Sequence, residues 1–233
     1  MISIIIPILN EADVIHKTLT SLFNQAYKDI EIIVVNDGST DTLDEVVKPW
    51  LEKITYIKFE KNIGRQIARN AGLAVVKGEY IFVCDADITM QANCLEKMVD
   101  ALQKNPRAAF AYSAFLWGNK TFTSFPFDVK RLQQMNYINM ASLVRRELHP
   151  GFDEQIGKFQ EWDVWLTLLN KGYEGVYIPE ILFSFGPPRK VGLSVLLPGF
   201  MYKIPWKKFG IHIRAIEQFE HWKKIVQKKH GII

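Results

Sequence analysis

Apolar residues follow two alternating patterns over the first 105 positions of the chain. Short continuous apolar runs are typical of strands buried on both faces of a sheet, and they occupy residues 2–8, 30–36, 55–60 and 80–85. The segments between them place apolar residues at every third or fourth position, as amphipathic helices do, and they cover residues 11–26, 41–53, 65–78 and 93–105. Four strand–helix units in succession predict an α/β fold with a mostly parallel, doubly wound sheet and helices on both faces.

Two of the predicted helices carry a signal for where they end. Pro49 lies inside the second helix and is expected to kink it or end it early, because proline has no backbone N–H. Gly78 is expected to stop the third helix, since glycine is common just after the last helical residue.

The pattern becomes less regular after Pro106. The remaining elements predicted from it are a strand over 108–118, a long loop or small antiparallel excursion over 119–137, a helix over 159–172 and one or two short strands over 176–186. No linker marks an independent second domain. We therefore predict one domain, residues 1–190, with halves at 1–105 and 106–190, and a C-terminal appendage over 191–233.

The composition places the chain among ordinary soluble globular proteins. Hydrophobic residues make up 48% of the 233 positions and charged residues 23%. The apolar N-terminus lacks the basic leader of a signal peptide, and no run of 18 uncharged apolar residues predicts a spanning helix. Cys84 and Cys94 match neither a zinc motif nor a redox motif, so they indicate reduced thiols in a cytoplasmic protein.

Positive charge is concentrated at the C-terminus. The formal net charge is +4, of which residues 201–233 carry +6 and the rest −2. A nearly neutral body argues against nucleic acid as a partner. The basic tail also has a helical apolar stripe, made of Phe209, Ile213, Ile216, Phe219, Trp222 and Val226. Two alternatives stay open: this helix docks on the body or on a second copy, or it lies peripherally on the anionic inner face of a membrane.

Polar side chains follow each of the first four predicted strands. They are Asn10, Glu11, Asn36, Asp37, Gly38, Ser39, Asn62, Gly64, Arg65, Asp85 and Asp87. Turns collect such residues in any protein. The carboxyl ends of parallel strands, however, meet at one edge of the sheet, which is where open α/β sheets bind ligands. Four polar turns on the same edge therefore predict a binding site there.

Asp85 and Asp87 stand one residue apart in "YIFVCDADITM". In an extended segment, residues two apart point the same way, so both carboxylates are expected to aim at one spot. Two ionised carboxylates repel each other unless a cation lies near them. Magnesium and manganese favour oxygen ligands and often bind through one or two carboxylates plus substrate phosphates. The pair therefore predicts a divalent metal at a diphosphate site, without the glycine-rich phosphate loops of other nucleotide-binding proteins.

Five blocks of the sequence occur in a recognisable order. They are "IIIPILNEADVI", "IIVVNDGSTD", "NIGRQIARNAGL", "DAD" and "QEWDVWLTLLNKG". As a set, over residues 2 to about 172, these blocks resemble the family 2 glycosyltransferases of the GT-A fold. The resemblance implies a sugar transferase that uses a nucleotide-sugar, a nucleotide-binding half over 1–105 and an acceptor half over 106–190.

The resemblance also implies roles for individual residues. Pro7, Asn10 and Glu11 would lie beside the nucleotide, with Gly64 in the same donor site. Asp37 would accept a hydrogen bond from the uracil ring, and Arg69 would flank uracil and phosphate. Asp85 would contact the ribose and join Asp87, which would hold the metal.

The catalytic base implied by the resemblance is Glu161, where the family places an aspartate. Glutamate is one methylene longer than aspartate and has a similar unperturbed pKa, so the base chemistry is kept while its geometry shifts. Asp163 lies two residues further on and so on another helix face, which makes it the weaker candidate. Taken alone, Glu161 could equally be a solvated carboxylate favoured by the helix dipole.

A second departure from the family concerns the metal. Many members place a histidine after the last core strand, and residues 183–194 contain none. Arg189 and Lys190 in this stretch are candidates for neutralising the diphosphate directly, or are exposed loop cations.

These observations together predict a metal-dependent, inverting glycosyltransferase. It would move a sugar, expected to be UDP-linked, to a hydroxyl of a glycan or lipid-linked saccharide, in cell-surface glycan or polysaccharide assembly. The main alternative is a catalytically silent nucleotide-binding module of the same fold. A nucleotidyltransferase and a scaffold protein are further alternatives, although the first strand lacks the glycine-rich loop that a nucleotidyltransferase would need. The sugar and the linkage do not follow from the sequence.

Overall fold

The protein forms one mixed sheet with helices on both faces in this computed structural model, which describes residues 1–186, 204, 206 and 212–233. Within those residues the sheet has nine strands, in the order β3-β2-β1-β4-β8-β6-β9-β5, with β7 paired to β6. The strands are β1 (Ile2–Ile8), β2 (Ile30–Asn36), β3 (Thr55–Lys58), β4 (Tyr80–Val83), β5 (Ile88–Met90), β6 (Ala108–Trp117), β7 (Lys120–Phe122), β8 (Leu143–Arg145) and β9 (Glu174–Phe185). The α-helices are α1 (Ala12–Phe23), α2 (Leu43–Val47), α3 (Arg65–Leu73), α4 (Cys94–Lys104), α5 (Val129–Gln134), α6 (Gln160–Asn170) and α7 (Arg214–Lys229).

The first four strands form the predicted parallel half. Strand β1 pairs in parallel with β2 and β4, and β2 pairs in parallel with β3. All seven residues of β1 are buried, which explains why its sequence is a continuous apolar run. Its even-numbered isoleucines pack with α1, α2 and α4, while Ile5 packs on the other face with α3 and α6. The doubly wound arrangement predicted from the sequence is confirmed.

The second half of the sheet mixes directions. Strand β8 is antiparallel to both β4 and β6, β9 runs parallel to β6, and β5 closes the edge antiparallel to β9. The excursion over 119–137 consists of the short strand β7, antiparallel to β6, and the helix α5. Residues 176–185 belong to one long strand, β9, whose pairing with β6 contains register shifts.

Two helices are shorter than their sequence patterns predict. Helix α2 ends at Val47 and passes into a 3₁₀ turn, Lys48–Trp50, as the missing N–H of Pro49 leads one to expect. Helix α3 ends at Leu73, so the prediction that it closes on Gly78 is wrong. Gly78 instead allows the backbone to pass close to β1. A Cβ at this position would lie 2.7 Å from the backbone N of Ser3, so only glycine fits there.

Helix α7 docks on the body of the domain. Val226 is fully buried in the core that also contains α6, and Ile216 is buried too. Trp222 covers Gly157 so closely that a Cβ added to that glycine would lie 2.5 Å from the indole Cζ2. Of the two alternatives for the tail, docking on the body is therefore the one observed for residues 214–229. Phe209 of the predicted stripe lies outside the described residues. Membrane binding stays a prediction. No helix in the described part of the chain is long and apolar enough to span a bilayer.

Candidate active site

The turns after β1 and β2 are joined by hydrogen bonds. The backbone N–H of Asn10 donates to Ser39 Oγ over 3.0 Å, and Asn10 Oδ1 accepts from the N–H of Thr40 over 2.8 Å. The N–H of Ala12, at the start of α1, donates to Asp41 Oδ2 over 2.9 Å. Asn10 lies in the left-handed region with φ 55°, which asparagine tolerates better than most residues. Asn10 therefore connects the turn after β1 to the turn after β2, and these two turns form a hydrogen-bonded rim.

Asp37 ties the turn after β2 to the turn after β3. Its side chain is buried, Oδ1 accepts the N–H of Ile63 over 2.8 Å, and Oδ2 accepts the N–H of Gly64 over 3.2 Å. Gly64 has φ 107°, a conformation that other residues rarely adopt. Asn10, Asp37 and Gly64 thus lie together at the predicted edge, but none of them lines the three clefts described below.

A cleft of about 340 Å³ opens beside these turns and has two unlike sides. One side carries polar and charged residues from the strand ends: Pro7, Glu11, Arg65, Asp85 and Asp87. The other side carries aromatic rings from β6, β7 and β9: Phe115, Trp117, Phe122 and Phe185. Pro7, Glu11, Asp85 and Asp87 therefore share one space, as the sequence predicts.

Asp85 and Asp87 reach this cleft in a way the sequence did not predict. They lie in a turn between β4 and β5, where the N–H of Ile88 donates to the carbonyl of Asp85 over 3.2 Å. The expectation of an extended segment is therefore wrong, although both residues line the same cleft. The backbone carbonyl of Asp87 also accepts from the N–H of Gly186, which anchors the turn to the end of β9.

Arg69 lies beneath the cleft and connects its parts. The side chain is 4% exposed, Nη1 donates to Gln160 Oε1 over 2.6 Å, and Nη2 lies 3.4 Å from Asp85 Oδ1. The guanidinium also lies over the ring of Phe152 at 5.3 Å. Burial lowers the pKa of Arg69, and the nearby charge of Asp85 partly opposes this. An arginine keeps its charge under such conditions, so Arg69 supplies a buried positive charge behind the carboxylates.

Glu161 is the second residue of α6 and lies close to Arg69. The helix begins after Phe159, whose backbone is left-handed with φ 63°. Asn136 Nδ2 donates to Glu161 Oε1 over 2.7 Å. Burial raises the pKa of Glu161, and the charge of Arg69 and the hydrogen bond from Asn136 act in the opposite direction. A carboxylate with a raised pKa is better suited to accept a proton near neutral pH than an ordinary glutamate.

Two further clefts meet at Glu161. One, of about 370 Å³, is also lined by Arg65, Arg69 and Asp85. The other, of about 440 Å³, is lined by residues 121–125 and 135–139. Asn139 lines all three clefts, which therefore adjoin one another. Together they are called the depression here, and Asp85, Asp87, Arg69 and Glu161 are among the residues that line it.

Asp163 faces away from this depression. Its side chain is 5% exposed and contacts α7: Lys229 Nζ lies 2.8 Å and His230 Nε2 2.7 Å from its Oδ1. Lys229 also binds Asp153 at 2.8 Å, and this hydrogen bond lowers the pKa of Asp153. The two acidic residues of α6 therefore have different surroundings, as their spacing predicts, and Asp163 connects α6 to α7.

The acidic pair fits a divalent cation by its chemistry. Asp85 and Asp87 are oxygen donors in one cleft, which suits magnesium or manganese when substrate phosphates complete the coordination. Across residues 1–186 and 212–233, no three His, Cys, Asp or Glu side chains lie close enough together to hold an ion by themselves. Arg189 and Lys190, the candidates for contact with a diphosphate, lie outside the described residues.

Sequence reasoning missed several residues of the depression. Arg65 is one of the polar residues expected at the strand ends, but no role in the site was predicted for it. Gln160, the partner of Arg69, directly precedes Glu161. Asn136 and Asn139 carry no sequence signal, because they reach Glu161 and the clefts only through the folding of the segment after β7.

Comparisons with known proteins identify the family of the chain and its fold. A family model described as "Glycosyl transferase family 2" matches residues 3–154. A Haemophilus influenzae protein named as an uncharacterized glycosyltransferase is 34% identical over 205 residues, which are 83% of this chain and 82% of that protein. Other relatives are longer, and the chain spans 14% and 46% of the length of two of them.

Two solved structures share the fold. The structure of S. aureus TarS 1–349 in complex with UDP-GlcNAc has a TM-score of 0.68 at 17% identity, covering 82% of this chain and 59% of that one. The mannosyltransferase PcManGT from Pyrobaculum calidifontis, in complex with GDP-Man and Mn²⁺, has a TM-score of 0.67 at 21% identity, covering 84% and 59%. These likenesses identify the fold as GT-A, which agrees with the prediction from the sequence blocks.

Proposed function

The chain belongs to glycosyl transferase family 2, and on that premise we propose that it transfers a sugar from a nucleotide-sugar donor to a hydroxyl acceptor with inversion at the anomeric carbon. We further propose UDP as the nucleotide, and a saccharide of a cell-surface glycan as the acceptor. One observation carries the proposal: two adjoining clefts are lined by two carboxylates, a buried arginine and a partly buried glutamate.

The donor would bind along the turns after β1–β4. Pro7 and Glu11 line the cleft next to the acidic pair, while Asp37 and Gly64 shape the neighbouring rim. Arg69 provides positive charge for a diphosphate from behind Asp85, and Arg65 adds a second cation at the surface of the same cleft. Asp85 and Asp87 would hold a divalent cation, which when bound would neutralise the charge on the departing diphosphate.

Glu161 would act as the base. It would accept the proton of the acceptor hydroxyl as that oxygen attacks the anomeric carbon. The bond between this carbon and the diphosphate oxygen breaks with its electron pair leaving on the nucleotide. Attack from the side opposite the leaving group inverts the configuration in one displacement. The raised pKa of Glu161 supports this role, because the residue can take up a proton near neutral pH.

The test is release of UDP from UDP-glucose, UDP-galactose and UDP-GlcNAc, with and without Mn²⁺, by the protein and its Glu161→Gln variant. We expect the variant to lose about 10²–10⁴-fold in kcat, the range of general base catalysis. UDP binding, followed by thermal shift, should be unchanged. The matched control is Glu147→Gln, which removes an exposed carboxylate that lines none of the clefts.

Two outcomes would contradict parts of the proposal. If the Glu161→Gln variant turned over at the wild-type rate, Glu161 would not be the catalytic base. Binding of UDP without release from any of the three donors, in the presence of Mn²⁺, would instead favour a catalytically silent nucleotide-binding module of the same fold.

A further inference from the structure

We propose that the acceptor is an uncharged pyranose, which binds against an aromatic wall formed by Phe115, Phe122, Phe125 and Tyr137. The inference rests on the proposed function and names the substrate class for its acceptor side. The four rings line the 440 Å³ cleft that ends at Glu161, so a sugar bound there can present a hydroxyl to the base.

The wall exposes large apolar rings to water. Phe122 is 40% and Phe125 42% exposed, although each contacts another aromatic ring. Phe122 stacks on Phe115 with ring centroids 4.9 Å apart, and Phe125 meets Tyr137 edge to face at 5.9 Å. Exposed, contiguous apolar surface of this kind commonly marks a binding site.

The exposure does not come from a loose segment. The Tyr112 hydroxyl donates to the carbonyl of Phe125 over 2.7 Å, and the Ser124 hydroxyl donates to the carbonyl of Tyr137 over 3.0 Å. Tyr177 likewise donates to the carbonyl of Thr123. These bonds hold residues 123–125 against the core while Phe122 and Phe125 stay accessible. The wall is therefore preorganised, which lowers the entropy cost of binding a ligand.

The chemistry of the wall matches a sugar ring. A pyranose has an apolar face made of C–H groups and an edge of hydroxyl groups. The exposed parts of Phe122 and Phe125 offer apolar surface to the face, and polar side chains that line the same cleft, among them Thr121 and Asn139, can exchange hydrogen bonds with hydroxyls.

The charge of the cleft favours a neutral ligand. Among the described residues that line it, none is Lys or Arg, and Glu161 is the one that can carry a charge. The Arg131 guanidinium lies 3.9 Å from the Phe125 ring centroid but does not line the cleft. A phosphate group is normally met by arginine or lysine, and an ionised Glu161 would repel it. We therefore expect uncharged acceptors to bind more tightly than phosphate-bearing ones.

Binding without turnover tests the inference separately from the proposed function. Saturation-transfer NMR, with irradiation of aromatic protons, is run with methyl β-D-glucopyranoside, methyl β-D-galactopyranoside and glucose 6-phosphate, in the presence of UDP and diamagnetic Mg²⁺. We expect transfer to the C–H protons of at least one methyl glycoside, with glucose 6-phosphate at least about tenfold weaker. Equal or tighter binding of the phosphate, or no transfer to either glycoside, would overturn the inference.

Variants locate the binding on the wall. Phe122→Ala and Phe125→Ala should each weaken glycoside binding about tenfold, the scale of one lost aromatic contact, while Phe122→Tyr and Phe125→Tyr should keep it. Leu51→Ala, which truncates a side chain that is 45% exposed away from the clefts, is the control. Unchanged binding in both alanine variants would overturn the assignment. Phe122 also lines the 340 Å³ cleft beside Asp85 and Asp87, so the Phe125 variants are the ones in which thermal shift with UDP reports on the donor site separately. Failure of the unsubstituted protein to bind UDP would contradict the proposed function and not the wall.

Discussion

The donor side and the acceptor side of the depression are held together in different ways. On the donor side, Asn10, Asp37 and Asp41 bond to the backbone of adjacent turns at one edge of the parallel sheet. On the acceptor side, Glu161 and residues 121–125 depend on contacts from separate parts of the chain, among them Asn136 and Tyr177. Every strand pairing on the donor side brings its turns to one place. The acceptor side needs several independent long-range contacts to exist.

This difference predicts how each side responds to substitution. Changes to functional side chains on the donor side should alter the chemistry while the sheet keeps the turns in place. Changes on the acceptor side should more often alter stability and activity together, because α6, which carries Glu161, is held in place by its packing in the core and by its contact with α7. Three experiments, from the largest expected effect to the smallest, examine that contrast.

The double substitution Asp85→Asn and Asp87→Asn should have the largest effect. We expect kcat/KM for release of UDP to fall at least about 100-fold, because the carboxylates that would hold the cation lose their charge. Urea unfolding should show a lower free energy of unfolding, because Asp85→Asn removes the carboxylate beside the nearly buried Arg69, while the turn itself keeps its backbone hydrogen bonds with Ile88 and Gly186. The control is Asp100→Asn, an exposed carboxylate on α4. Turnover by the double variant at the wild-type rate would contradict the role of the two carboxylates in holding a cation.

Lys229→Met should affect the acceptor side through the contact between α6 and α7. The substitution removes one partner of the nearly buried Asp163 and the ion pair with Asp153, so we expect the free energy of unfolding to fall by about 1–3 kcal/mol. The pKa of Asp153 is lowered by Lys229 in the folded state. The stability that the ionised Asp153 contributes is present above the pKa that this carboxyl has in the unfolded chain, and it is lost as pH falls through the pKa of the folded state. The difference between the two proteins should therefore shrink below about pH 4.

The matched control for this experiment is Lys228→Met, which changes an exposed neighbour on α7. Urea unfolding at pH 7 and pH 3.5 measures the effect, and kcat for UDP release follows its consequence for Glu161. Equal stability of Lys229→Met and Lys228→Met at pH 7 would show that the contact contributes nothing measurable.

Glu161→Gln should change the free energy of unfolding least of the three. It should raise this free energy, whereas Lys229→Met lowers it. Burial raises the folded pKa of Glu161 above its unfolded value. The stability that this carboxyl contributes is present below the unfolded pKa and is lost as pH rises through the folded pKa. The glutamine variant should therefore be slightly more stable than the parent protein at pH 7.5, with the advantage vanishing near pH 4. Thermal unfolding at both values measures it, and a less stable variant at pH 7.5 would contradict the raised pKa.

Much of the donor side follows from the sequence alone. The apolar runs of β1, β2 and β4 predict a buried parallel sheet, and parallel strands necessarily bring their carboxyl ends to one edge. The turns that carry Glu11, Asp37 and Asp85 were placed together for that reason, without knowledge of any side-chain contact. The detail inside a turn did not follow. The shape of the segment from Asp85 to Asp87 depends on a hydrogen bond from the backbone N–H of Gly186 to the carbonyl of Asp87, and Gly186 is about 100 positions away in the chain.

The acceptor side shows where such reasoning stops. Helix α6 and the carboxylates Glu161 and Asp163 are readable in the sequence, but their surroundings are not. Asn136 comes to Glu161, and Lys229 to Asp163, only when remote segments pack against α6.

Local order along the chain thus specifies the secondary structure, the parallel half of the sheet and the row of polar turns, because short-range periodicity and strand direction are properties of neighbouring residues. The ionic contact of α7 with α6, the accessible aromatic wall and the raised pKa of Glu161 arise only in the folded molecule. They depend on distance and on exclusion of water between residues far apart in the chain, and no local pattern encodes either quantity.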